Sequence, residues 1–128
     1  MIRSYLQPLD KTLPMVATTD IGRVAAELMC ERWEGRRIVE LEGPRRVSPE
    51  EIAADLSGIL GRQVRVEAVP RAEWEAEFRA DGAQNPLPRA QMIDGFNEGW
   101  IEFEGGEVGS RKGDTPIEAV LRDLVARG

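Results

Sequence analysis

The chain has 128 residues, a mass of 14.2 kDa and 41% hydrophobic side chains, the size and composition of one ordinary soluble domain with a single core. Its net charge of −6 and pI near 4.8 set up a field that repels nucleic acid and anionic membrane, so neither is expected as a partner. With no histidine and a single cysteine, Cys30, the sequence excludes Ser-His-Asp and Cys-His nucleophile systems, an intrachain disulfide and the usual zinc and non-haem iron ligand sets.

The amino-terminal run MIRSYLQPLD has no signal-peptide core, and the apolar stretches fall short of the roughly 20 residues of a membrane span, so a cytoplasmic location is expected. Leu13 to Ala17 reads as a short buried strand, and Asp20, after Thr18 and Thr19, as the N-cap of a helix with an apolar stripe of Ile21, Val24, Ala25, Leu28 and Met29. In that setting Cys30 reads as a half-buried small residue, and Ile38 to Leu41 as a second strand. Ser48, Pro49 and Glu51 form a capping box opening a helix that carries Ile52, Ala53, Leu56, Ile59 and Leu60 to a stop at Gly61.

Val64 to Val69 alternates with strand periodicity and ends at Pro70. A helix near 72–80 places Trp74 and Phe78 on one face, while Glu73, Glu75, Glu77 and Arg79 read as solvated surface. A longer helix, about 88–102, aligns Met92, Ile93, Phe96 and Trp100, and Gly95 and Gly99 within it point to close packing or a nearby ligand. Residues 105–114 read as loop, and Thr115 to Glu118 as a second capping box for a last helix with Val120, Leu121, Leu124 and Val125 inward. Strands alternating with helices predict an α/β protein, β-α-β-α-β followed by helices, with parallel pairing. So short a first strand reads as belonging to a larger sheet, which gives the chain the look of a portion of something bigger.

The run Pro14 to Ala25 (PMVATTDIGRVA), then Leu41-Glu42-Gly43-Pro44, Ser48 to Ala53, Leu60-Gly61-Arg62 and Asp94 to Phe103, resembles in order and spacing the NmrA-like proteins, which are atypical short-chain dehydrogenase/reductases. The resemblance runs from about Leu6 to the end and is to the C-terminal portion of that Rossmann-type family. It implies a single domain over 1–128, in which 1–45 is a remnant of the Rossmann sheet and 46–128 a helical substrate lobe. The family's glycine-rich nucleotide turn has no counterpart: Gly105 to Gly109 lacks the helix start that motif needs and reads as a surface loop. The Tyr-x-x-x-Lys pair of many short-chain dehydrogenases is also absent, since Leu9 stands four residues after Tyr5.

No catalytic, cofactor-binding or metal-binding residue is therefore assigned, and NAD(P) is implied only for full-length relatives. Candidate substrate-pocket residues are Met15 and Thr18 at the end of the expected strand, and Phe96, Asn97 and Trp100 on the late helix. The late aromatic side chains read first as core and secondly as one wall of an apolar pocket. Asp20 reads first as an N-cap and secondly as a carboxylate at the carboxyl end of a sheet strand. Three functions compete: a substrate lobe active with a Rossmann partner, a stand-alone small-ligand-binding or regulatory module, and a fragment that merely folds. Each leaves strand edges and apolar faces open, so a homodimer or a missing Rossmann-domain partner is expected, with a small apolar molecule as ligand.

Overall fold

Strand Val66–Ala68 finds its partner in the first residues of the chain, where no strand is expected. In the computed structural model, which describes residues 1–128, β1 (Ile2–Ser4) and β3 (Val66–Ala68) run parallel, with Ile2 beside Val66 and Ser4 beside Ala68. Between them in sequence lie α1 (Thr18–Cys30), β2 (Leu41–Glu42) and α2 (Pro49–Leu60). The β-α-β-α-β order thus holds, with β1 replacing the expected strand at 13–17. A 3₁₀ turn at Arg71–Glu73 leads into α3 (Trp74–Ala80), followed by α4 (Leu87–Glu98), α5 (Gly106–Gly109), β4 (Arg111–Lys112) and α6 (Ile117–Arg127). Strands β2 and β4 form a second parallel pair, so the molecule is a mixed α/β protein with parallel strands and six helices. No helix is long and apolar enough to cross a membrane.

The residues pack as two compact units that interleave in sequence. Unit one comprises Met1–Lys11 and Ser48–Glu102, and unit two Thr12–Val47 and Phe103–Gly128. Unit one is built around Val69, Trp74, Phe78, Ala90 and Ile93, with Tyr5, Leu6 and Ala83 packed against them. The capping box of α2 forms as its sequence predicts: Glu51 N donates to Ser48 Oγ at 3.2 Å, and Ser48 N donates to the Glu51 carboxylate at 2.7 Å. Helix α4 ends at Glu98 rather than 102, because Gly99 adopts a left-handed φ of +86° as its C-cap. Gly95 serves close packing: a Cβ there would lie 2.5 Å from Ile101 Cδ1.

Unit two departs further from its sequence pattern. Leu13 and Val47 exchange two backbone hydrogen bonds (2.9 and 3.1 Å) as an isolated antiparallel bridge, and Pro14, with no N–H, cannot extend it into a strand. The strand expected at 38–41 reduces to Leu41–Glu42, paired with β4 inside the stretch expected to be loop, where α5 also forms. Helix α1 begins at Thr18 with Ala17 as N-cap, so Asp20 does not cap it. Instead the Asp20 carboxylate accepts hydrogen bonds from Thr115 N and Thr115 Oγ1, both at 2.9 Å. The second capping box fails for the same reason: the Thr115 hydroxyl is engaged by Asp20, and α6 starts at Ile117 without a side-chain cap.

Of the α1 stripe only Val24 is buried; Ile21 is 46% and Met29 87% exposed, and Cys30 is exposed rather than half-buried. On α6, Leu121 is buried while Leu124 and Val125 face solvent instead of pointing inward. On both helices, then, part of the apolar stripe stays in solvent.

Candidate functional site

A strongly apolar hollow lies in unit one, beside β1. One wall is the segment Ile2 to Leu6, another is Pro49 and Ile52 from the first turns of α2, and the third is Met92, Ile93 and Phe96 of α4; together they line an open hollow of about 330 Å³. The sequence dictates each wall locally. Pro49 at the first helical position starts α2 beside the strand, and Met92, Ile93 and Phe96 recur at helical spacing on one face of α4. Aromatic rings support the strand segment: the ring of Tyr5 meets that of Trp74 edge-on at 5.7 Å and that of Phe78 at 4.9 Å.

Polar groups around the hollow position it. Trp74 Nε1 donates to Val69 O at 2.8 Å. Asn97 accepts from Gln7 N (2.9 Å) and donates to Tyr5 O (2.8 Å), and Lys11 Nζ donates to the carbonyls of Phe96 and Asn97, both at 2.9 Å. The end of α4 therefore clamps the chain that continues from β1. Ser4 Oγ donates to Leu6 O, and the Tyr5 hydroxyl donates to Glu77 at 2.7 Å. That bond to a carboxylate, reinforced by burial, raises the Tyr5 pKa and keeps the phenol protonated at neutral pH. The space so framed suits an apolar molecule held by shape and dispersion.

The candidate pocket residues separate between the units. Phe96 lines the hollow, Asn97 is engaged in the clamp beside it, and Trp100 is 64% exposed, its Nε1 donating to Glu98 at 2.9 Å. Met15 and Thr18 belong to unit two, where Met15 lines a separate apolar cavity and Thr18 a groove along α6. The sequence pattern marks Ile52 and Met92 only as apolar helix positions and gives no signal for Ile2 and Leu6 as walls of a hollow. The helical spacing that marks Phe96 also marks Met92, whereas the contribution of β1 depends on a strand partner more than 60 residues away.

Unit two is organised by charge. Glu42, only 1% exposed, receives the Arg46 guanidinium in a two-pronged contact (3.2 and 3.1 Å) and Lys112 Nζ at 3.3 Å. Burial pushes its pKa up, but hydrogen bonds from Arg46, Ser110 and Lys112 outweigh that and hold it below the ordinary value. Asp20 is likewise held low, first by the Thr115 N–H, against the opposing pull of burial. The Glu40 carboxylate accepts from the N–H groups of Glu104 (2.9 Å) and Gly105 (3.0 Å). The protein's own carboxylate thus holds the two amides just ahead of α5, of which only that of Gly105 belongs to the glycine-rich run 105–109. No cluster of three or more Cys, Asp or Glu side chains is arranged to hold a metal ion.

No family model matches the chain, and no curated protein matches it. In fold it is similar to solved structures of the Citrobacter sp. triphenylmethane reductase. One, complexed with NADP(H), superposes with a TM-score of 0.70 at 17% identity over 95% of this chain and 43% of that chain. Another, described in connection with bioremediation of triphenylmethane dyes, gives 0.72 at 16% identity over 98% of this chain and 44% of that chain. The chain thus spans less than half the length of these structural neighbours.

Proposed function

We propose that these residues form the substrate lobe of an NmrA-like, NAD(P)-dependent atypical short-chain reductase, taking a small apolar molecule into the hollow beside β1. The nucleotide half of the site comes from residues outside these 128, on the same polypeptide or another. The observation that carries this reading is the fold likeness, which extends over nearly all of this chain but under half of a protein complexed with NADP(H). The hollow supports it, because its walls are mostly side chains of Ile, Leu, Pro, Met and Phe, and the polar groups among them, those of Arg3, Ser4 and Tyr5, are engaged within the protein. The 128 residues position a substrate against apolar walls; hydride chemistry is what the nucleotide supplies when bound.

A second reading is a stand-alone module that binds a small ligand or regulates a partner, which needs no nucleotide half and rests on the apolar hollow alone. Two titrations separate the readings. A triphenylmethane dye, followed by absorbance, should bind saturably, and Ile52→Trp, which fills the hollow, should weaken it at least about tenfold. NADPH, followed by fluorescence, should bind only when the nucleotide half is also present, as judged by native mass spectrometry of the same sample. Dye binding indifferent to Ile52→Trp would overturn the hollow as the site. NADPH binding by the 128 residues alone would overturn the division of labour, and a complete assembly that ignores NADPH would favour the stand-alone module.

A further inference from the structure

Unit two contains a second apolar cavity that the substrate-lobe reading does not use. It measures about 180 Å³ and is walled by Met15 and Val16 of the extended segment before α1, Val47 after β2, and Ile117 and Val120 of α6. Its backbone is fixed: Gly43 N donates to Met15 O at 2.6 Å, and a Cβ on Gly43 would meet that same oxygen at 2.6 Å.

The polar groups at its margin already have partners within the protein. Val47 N donates to Leu13 O at 3.1 Å, and Thr115 gives both its N–H and its hydroxyl to Asp20. At the rim the Arg45 guanidinium donates to Glu118 at 2.8 Å, so the entrance pairs its positive charge with a negative one. A water molecule needs two to four polar partners to settle in such a space, and an apolar cavity of about 150 Å³ is large enough to stay dry and take up benzene.

We infer that this cavity is a second binding site, for a neutral apolar molecule, or the apolar end of one, about the size of a single six-membered ring. Chemistry selects the occupant. An anion finds Arg45 already paired, a hydrogen-bonding solute finds Thr115 and the Gly43 amide engaged, and a ring or branched alkyl group finds aliphatic side chains of matching volume.

Methyl NMR with benzene as the probe tests this, since each methyl reports its own surroundings. Benzene should shift the methyl resonances of Val16, Val47, Ile117 and Val120 saturably, with nuclear Overhauser contacts from benzene to the Met15 methyl in the unaltered protein. Val120→Trp, which fills the space, should weaken that response at least about tenfold. The contacts to Met15 need no variant, so the test survives if Val120→Trp does not fold. Non-saturating shifts, or shifts confined to Ile52 and Met92 of the unit-one hollow, would overturn the inference without touching the substrate-lobe reading. Failure of dye binding at the hollow would leave this cavity unaffected.

Discussion

Each of the two units is stabilised within itself by a different kind of interaction. Unit one buries Trp74 and Phe78 almost completely against Val69, Ala90 and Ile93. Unit two buries little apolar bulk beyond Leu13, Val24, Val47 and Leu121, and fixes its backbone with the carboxylates of Asp20, Glu40 and Glu42. The carboxylates of Asp20, Glu27, Glu42 and Glu118, each held below its ordinary pKa, lie in unit two. An aromatic core gives stability that is indifferent to pH, whereas a set of paired carboxylates makes stability a function of protonation.

The largest effect should come from emptying the aromatic core. Phe78→Ala removes a fully buried ring and should cost about 4 kcal/mol, measured by urea denaturation. A loss below about 1 kcal/mol would erase the contrast between the units. Next is Glu42→Gln, which leaves the Arg46 and Lys112 charges without their carboxylate. It should cost about 2–3 kcal/mol, less than a wholly buried pair because Lys112 is 38% exposed and water screens it.

The same network sets the acid response. Depressed pKa values mean that stabilisation is fully present above the ordinary values, 3.8 for Asp20 and 4.5 for Glu42, and is lost as the pH falls through the lower folded-state values. Hydrogen exchange followed by mass spectrometry from pH 6 down to about pH 3 should therefore show unit two opening before unit one. Simultaneous opening, or unit one first, would break the comparison.

A smaller effect belongs to the clamp on β1. Asn97→Ala removes both bonds to the Tyr5 and Gln7 backbone and should cost about 1–2 kcal/mol, with faster exchange in residues 2–7. The smallest is Met29→Gln. The sequence pattern places Met29 on the core stripe of α1, but its exposure predicts a change within about 0.5 kcal/mol by urea denaturation. A loss of several kcal/mol would show that this face is covered in solution, by a second copy or by another chain.

Local chemistry made part of this legible in the sequence. The Ser48–Glu51 capping box, the Gly61 stop and the Trp74–Phe78 spacing are set by neighbours within four residues, and all three form. Phe96 on the wall of the hollow follows from the same helical periodicity. The helix starts at Asp20 and Thr115 were misplaced because each side chain has a better partner 95 residues away, and a local rule cannot weigh a bond to a distant residue.

By itself, then, the sequence determined the alternation of strands and helices, the absence of imidazole chemistry, the acidic surface and the apolar stripes. Only the tertiary structure decided which stripes are buried, that β1 pairs with β3 and β2 with β4, and that the chain packs as two interleaved units. The reason is that propensity and capping act over one helical turn, whereas parallel pairing and the burial of a carboxylate join residues whose separation along the chain carries no local signal.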